Sequence, residues 1–214
     1  MKVNVRMLSP RAIAIVKTLV WLAALIPFAR LAMGVAHEAL GPNPIETLQR
    51  TTGWYALVLL CVALGVTPAR RLLGWPWLAR LRRLLGLFAF FYAVLHFVTW
   101  VWFDHFFDVA ELTADVIKRP FITVGFLAFV LLIPLAATST HRATKWLGAK
   151  RWQALHRSVY AIAPLAVLHY WWHKAGKNDL AYPALFAVIV AVLLALRVWW
   201  RWQSTTTKSP RVTT

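Results

Sequence analysis

The chain has 214 residues, enough for one domain, and 60% of them are apolar, with thirteen tryptophans and only 14% charged residues. This composition is typical of membrane proteins rather than of soluble domains. A net charge of +17 would suit nucleic-acid binding, but no basic soluble region carries it, so nucleic acid is excluded as a partner. The single cysteine, Cys61, excludes an intrachain disulfide.

Six segments are apolar and long enough to be membrane spans of roughly 20 residues. In chain order they are 12–33, 53–68, 84–103, 120–138, 156–173 and 180–199. The first is longer than the apolar part of a signal peptide, and no clear cleavage site follows it, so it is counted as a span. The sequence therefore predicts an all-α integral membrane bundle of six transmembrane helices, forming one domain over residues 1–214.

The charges separate by side of the membrane. Most of the 24 basic residues lie in four places: the N-terminal tail, the segments after the second and fourth spans, and the C-terminal tail. They are Lys2, Arg6, Arg11; Arg70, Arg71, Arg80, Arg82, Arg83; Arg142, Lys145, Lys150, Arg151, Arg157; Arg197, Arg201, Lys208, Arg211. The acids follow the first, third and fifth spans: Glu38, Glu46; Asp104, Asp108, Glu111, Asp115; Asp179. By the positive-inside rule both termini are cytoplasmic and the acidic loops face outward. The basic face also attracts anionic lipid headgroups.

The stretch 138–157 is polar and basic, with Trp146 and Trp152 interleaved. This pattern predicts an amphipathic helix lying at the cytoplasmic membrane interface. Its charge would also suit the docking of an acidic partner protein.

The seven histidines differ in their surroundings. His37, His105 and His141 lie in or beside polar loops, so we expect solvated side chains. His173 shares a helix face with His169 but lies near the outer interface, where hydrogen bonding is expected rather than metal ligation.

His96 and His169 lie inside the third and fifth spans, which run in the same direction. Each lies about 18–20 Å above the start of its helix, so both reach nearly the same depth in the outer half of the membrane. Facing imidazoles at one depth are what a six-coordinate haem iron requires from a protein. The pair predicts a bis-histidine haem site; two independent buried histidines, each bonded to a nearby carbonyl, are the alternative.

His156 lies at the cytoplasmic start of the fifth span. Its counterpart on the third span is Arg82, which supplies no imidazole, and His156 is about 140° around the helix from His169. Three alternatives therefore remain for a second haem: it is absent, it is held by His156 alone, or Arg82 assists by pairing with one of its propionates.

No G-x-G-x-x-G sequence follows a strand and no P-loop is present. The chain thus lacks its own nicotinamide or FAD domain, and reducing equivalents must come from another protein, free flavin or quinol.

Several segments, in this order, resemble those of the MsrQ (YedZ) family. They are Arg82-Arg83-Leu84-Leu85-Gly86-Leu87, Leu95-His96, Arg119-Pro120-Phe121-Ile122-Thr123-Val124-Gly125, Ser139-Thr140, Leu147-Gly148, Trp152, Leu155-His156, Val159-Tyr160 and His169-Tyr170. These proteins are haem-binding membrane subunits of bacterial periplasmic methionine sulfoxide reductases. They belong to a superfamily of ferric-reductase-like transmembrane domains.

The resemblance implies a non-catalytic subunit of the bacterial inner membrane that carries electrons to a periplasmic molybdopterin enzyme repairing oxidised proteins. It implies haem b on His96 and His169, with His156 at an inner cofactor site. The oxidase relatives have a second histidine near Arg82, so its absence here puts a two-haem relay in question. FMN and a cytoplasmic flavin reductase are further implied. Two other functions remain open: a cytochrome b of another quinol-linked respiratory enzyme, and a small histidine-dependent proton-coupled transporter.

Overall fold

The computed structural model describes residues 8–206, and every regular element in that range is helical. The predicted inner-side charges Lys2, Arg6, Lys208 and Arg211 lie outside the described residues. The eight α-helices are α1 Pro10–Ala36, α2 Pro44–Leu73, α3 Arg82–Thr99, α4 Val109–Lys118, α5 Pro120–Ala137, α6 His141–His156, α7 Val159–Ala175 and α8 Ala181–Thr206. A 3₁₀ helix, Pro76–Leu81, precedes α3, and a π-helical turn, Trp100–Asp104, extends it.

Local sequence determines the helix ends. Side-chain oxygens cap the first turns of α1, α2, α4 and α6 by accepting free backbone N–H groups, as such residues commonly do; the capping residues are Ser9, Asn43, Asp108 and Thr140. Gly74 ends α2 in the left-handed conformation, with φ of 66°, which glycine adopts at little cost. The two longest helices, α1 and α2, therefore have defined starts.

Five helical segments are long and apolar enough to cross a membrane: Pro10–Ala36, Pro44–Leu73, Pro76–Asp104, Pro120–Ala137 and Ala181–Gln203. They coincide with five of the six predicted spans. The remaining prediction, 156–173, corresponds to α7, which has seventeen residues and lies at the short limit of about 17 for a span. α7 begins three residues later than predicted because the chain turns at Arg157 and Ser158.

The helix predicted within 138–157 is present as α6. None of its residues is buried, and its backbone bends at Gly148, where φ is 73°. Trp146 is 84% exposed. The other short helix, α4, was not predicted, because its residues had been assigned to an acidic loop.

The core of the bundle is built from α2, α3, α5, α7 and α8. Helix α2 packs most extensively against α3, and α5 against α7. Ile162 and Ala163 on α7 are completely buried in this core. The α2–α3 and α5–α7 pairs therefore face each other, and α7 lies at the centre of this core.

Helix α1 lies at the periphery and contacts the bundle through Tyr92 of α3. Tyr92 is completely buried, and its hydroxyl donates to the Ala24 carbonyl at 2.7 Å and accepts from the Phe28 N–H at 3.0 Å. These two backbone groups would bond to each other in an uninterrupted helix. The hydroxyl thus joins α1 to α3 beside Pro27, where the helix ladder already lacks one donor.

Candidate functional site

A cavity of about 620 Å³ lies between the α2–α3 and α5–α7 pairs. Its volume is in the range of cofactor pockets, about 300–1,000 Å³. Most of its wall is apolar. Polar side chains lie at the end of the cavity nearest the acidic segments: Gln49, Arg50, Asp104, Arg119, His173 and Lys174. His96 and His169 project into it from α3 and α7.

The rings of His96 and His169 are brought together across the cavity. Their centroids are 6.1 Å apart and the ring planes are inclined by 70°. With metal–imidazole bonds of about 2 Å and ring bonds of about 1.33 Å, two imidazoles on opposite sides of one metal have centroids about 6.2 Å apart. At the observed separation both residues would be able to hold one iron.

Backbone carbonyls determine which ring nitrogen of each histidine is free. His96 Nδ1 lies 2.9 Å from the Gln49 carbonyl, and His169 Nδ1 lies 2.7 Å from the Phe121 carbonyl. A carbonyl oxygen only accepts, so in each ring Nδ1 carries the hydrogen and donates it. Nε2 is then left with the lone pair that metal ligation requires. The alternative of two independent histidines predicted a bond from each ring to a nearby carbonyl. Those bonds are present, but the two rings also lie opposite each other in one cavity.

A glycine packs beneath each histidine ring. A Cβ at Gly53 would lie 3.1 Å from ring atoms of His96, and a Cβ at Gly125 would lie 2.6 Å from His169 Nδ1. Each glycine follows the acceptor carbonyl by four residues, so carbonyl and glycine occupy the same helix face. The same arrangement thus occurs twice, once in α2–α3 and once in α5–α7.

The residues of the cavity fit a haem group. Within residues 8–206, no group of three or more His, Cys, Asp or Glu side chains is arranged to hold a metal ion. A haem iron needs only two ligands from the protein, because the porphyrin supplies the other four. The cavity offers two imidazoles and apolar walls. The cations Arg50, Arg119 and Lys174 at its polar end already pair with carboxylates of the chain itself.

His156 and Arg82 lie in different surroundings from this pair. His156 is the last residue of α6, where its Nε2 is 3.0 Å from Thr138 Oγ1 and its ring stacks on Trp152 at 4.0 Å. Burial lowers the pKa of His156. Arg82, the first residue of α3, is within electrostatic range of Arg70 and Tyr160. A second cofactor at these residues stays a prediction.

The prediction of a solvated His105 is wrong. Its side chain is only 11% exposed, and Nε2 lies 3.1 Å from Asp115 Oδ2. Trp100 Nε1 donates to the same oxygen at 3.3 Å, and Arg119 pairs with the other carboxylate oxygen at 2.7 Å. This network holds α4 against the outer end of α3. The i, i+4 spacing of Asp115 and Arg119 was the available sequence signal. His37 and His141 are exposed, as predicted.

Sequence reasoning also missed Gly53 and Gly125. Both are isolated glycines inside apolar helices, a pattern that often indicates close approach of another group. Their significance depends on which helices are neighbours, which the sequence does not show residue by residue.

Comparison with known proteins gives one consistent result. Residues 52–167 match the family described as ferric reductase like transmembrane component. A protein of Herminiimonas arsenicoxydans is 61% identical over 91% of this chain and 89% of its own length. A protein of Ralstonia nicotianae is 55% identical over 92% of this chain and 91% of its own length. A protein of Bordetella pertussis is 56% identical over 91% of this chain and 95% of its own length.

All three relatives carry the name protein-methionine-sulfoxide reductase heme-binding subunit MsrQ. The family match and the five long apolar helices together indicate a multi-pass membrane protein. The high identity along nearly the whole length, added to the match over 52–167, establishes that this chain belongs to the MsrQ family of ferric-reductase-like transmembrane proteins.

Proposed function

We propose that this chain is a haem b-containing electron-transfer subunit of a methionine sulfoxide reductase system. It passes electrons across the bacterial inner membrane to a periplasmic molybdopterin enzyme that repairs oxidised proteins. The observation that carries the proposal is the 6.1 Å separation of two rings whose Nδ1 atoms both bond to carbonyls. The names of the relatives support the same haem-binding role.

In this proposal His96 and His169 would hold the haem iron through their Nε2 atoms. A bound haem b supplies a one-electron redox couple. The Gln49 and Phe121 carbonyls fix the ring orientations and increase the basicity of Nε2. The apolar cavity wall excludes water, and no substrate bond is made or broken in this chain, so it is a redox subunit rather than a complete enzyme.

The direction of electron flow follows from the proposed topology. With α7 as a sixth span, both termini are cytoplasmic and the acidic segments face the periplasm. The histidine pair then lies in the outer half of the bundle, near the periplasmic partner. Electrons enter from a cytoplasmic flavin reductase or from quinol. The proposal further includes FMN bound on the basic face and a second haem at His156.

Absorbance spectroscopy of the purified protein tests the ligand assignment. We expect the wild type to show the bands of a low-spin b-type haem, and His96→Ala and His169→Ala each to lose them. His37→Ala and His141→Ala are matched controls because both histidines are exposed, and we expect their spectra to be unchanged. Intact low-spin bands in His96→Ala would overturn the assignment.

The donor is tested separately in proteoliposomes. Haem reduction by a flavin reductase with NADH, compared with reduction by a quinol, identifies the entry route. Quinol as the sole effective donor, with no transfer to a methionine sulfoxide reductase, would instead favour a cytochrome b of another respiratory enzyme. A colourless protein with pH-dependent flux would favour the transporter.

A further inference from the structure

Three arginines from three helices lie at the end of the bundle opposite the acidic segments, and two of them, Arg82 and Arg197, interact with Tyr160. Arg70 belongs to α2, Arg82 to α3 and Arg197 to α8, while Tyr160 is in the first turn of α7. Arg197 Nη2 donates to the Leu64 carbonyl, and its guanidinium carbon lies 5.1 Å from the centroid of the Tyr160 ring. Arg82 interacts electrostatically with Arg70 and Arg197. We call these three residues the inner arginine cluster.

The cluster lacks compensating negative charge. All seven acids follow α1, α3 or α7, or lie in the first turn of α2, at the other end of the helices: Glu38, Glu46, Asp104, Asp108, Glu111, Asp115 and Asp179. Within residues 8–206, no carboxylate therefore lies at the cluster. Guanidinium groups do not deprotonate in proteins, so three positive charges remain close together.

Two of the guanidinium groups also have buried hydrogen-bond donors with no partner. The Nε atoms of Arg70 and Arg197 are both inaccessible to solvent and make no hydrogen bond. An unsatisfied buried donor on a charged group is costly. Within residues 8–206 no acceptor reaches either Nε, and an anion bound by the guanidinium groups would offset their positive charge.

We propose that the inner arginine cluster binds a phosphate group. Guanidinium forks match phosphate oxygens in charge and in geometry, and basic pockets between transmembrane helices on the cytoplasmic side receive phospholipid headgroups. Arg82 is the exposed member of the cluster. The source of the phosphate is either a membrane lipid headgroup or a soluble phosphate monoester such as a flavin nucleotide.

This site is separate from the histidine pair. Arg82 precedes His96 by fourteen residues on α3, a distance of about 21 Å along the helix. The lipid source is independent of the proposed function, whereas the flavin source rests on it. Haem spectra measured on the same samples therefore keep the two proposals distinguishable.

The first experiment measures phosphate binding to the delipidated full-length protein in detergent. Inorganic phosphate is titrated against sodium chloride of equal ionic strength, and thermal unfolding is recorded. We expect a saturable rise in the unfolding temperature of the wild type. The double variant Arg70→Gln/Arg197→Gln should weaken phosphate binding roughly tenfold or more, because it removes two charge-assisted donors.

Arg83→Gln is the matched control. Arg83 is adjacent to Arg82 and exposed, so the substitution removes one inner charge without touching the cluster, and phosphate binding should persist. Arg70→Lys/Arg197→Lys keeps the charge but loses the guanidinium fork, and should give an intermediate affinity. The lysine variant and the wild-type titration keep the test valid if the glutamine variant does not fold. A wild-type response to phosphate no larger than the response to chloride would overturn the proposal.

The second experiment identifies the source of the phosphate. In nanodiscs of phosphatidylcholine with and without phosphatidylglycerol, a lipid site predicts anionic lipid retained by the wild type and lost from the glutamine variant. A monoester site predicts that FMN binds, that riboflavin without its phosphate does not, and that the glutamine variant loses FMN. Either result supports phosphate binding by the inner arginine cluster. Equal binding of lipid and FMN by the wild type and the glutamine variant would overturn it.

Discussion

The orientation of each candidate ligand depends on one backbone carbonyl and one glycine. Gln49 and Gly53 hold His96, and Phe121 and Gly125 hold His169 in the same register. Spacing in the sequence was sufficient to predict that the two histidines lie at one depth. It was not sufficient to predict the glycines, because ring-to-backbone packing depends on helix rotation as well as on depth.

Adding a methyl group at Gly125 should disturb the haem site. In Gly125→Ala the new Cβ would lie 2.6 Å from His169 Nδ1, so the ring must move and its carbonyl bond weakens. Loss of such supporting contacts typically costs about 10–100-fold in metal affinity. We expect reduced haem retention and a shifted reduction potential, measured by spectroelectrochemistry.

Gly53→Ala should have a smaller effect, since its nearest contact would be 3.1 Å. Gly65→Ala and Gly86→Ala are controls, because a Cβ at either position meets nothing within 4 Å. A wild-type potential and wild-type haem content in Gly125→Ala would contradict the role assigned to this glycine.

At the scale of helices, the length of each apolar segment was enough to predict the long helices. The turns and contacts between helices depend instead on polar side chains. Five predicted spans correspond to long apolar helices, because span length is set mainly by apolar composition. The start of α7 and the existence of α4 were not predicted. Both depend on local turns and on the contacts of Asp115 with His105 and Trp100, which hydropathy does not report.

The Tyr92 hydroxyl attaches α1 together with the ring contacts Trp21–Phe88 and Phe28–Phe91. Tyr92→Phe should therefore weaken this attachment. The substitution removes the bonds to Ala24 and Phe28 while keeping the ring in place. We expect a loss of about 1–2 kcal/mol of stability, seen as a lower unfolding temperature in detergent. Tyr182→Phe is the control, because Tyr182 is 53% exposed. Equal stability of the two variants would show that the hydroxyl does not hold α1.

At the scale of the whole molecule, the distribution of charge predicts a single orientation. The acids lie at one end of the described helices, and the exposed basic helix α6 lies at the other. The sequence alone was enough to predict this polarity, because charges in short loops can be counted without knowing how the helices pack. The inner arginine cluster was not predicted as a unit, since its members come from three distant parts of the chain.

Thiol labelling tests this orientation. The only native cysteine, Cys61, is buried, so the wild type should label weakly with a membrane-impermeant maleimide. We expect Asn178→Cys, between α7 and α8, to label in intact spheroplasts. Lys150→Cys on α6 should label only after lysis. Labelling of Lys150→Cys in intact spheroplasts, or protection of Asn178→Cys, would contradict cytoplasmic termini and six membrane passes.

The two acceptor carbonyls have a consequence for mutational robustness. Every amino acid supplies the same main-chain oxygen, so replacing the side chain at position 49 or 121 leaves the acceptor of His96 or His169 in place. The acceptor oxygen therefore survives substitution, whereas a side chain four residues later would crowd the ring, more severely at Gly125 than at Gly53. Replacing Gln49 removes the hydrogen bond from its side-chain amide to Asp104 but keeps the acceptor of His96, whereas Gly125 stays constrained by the His169 ring.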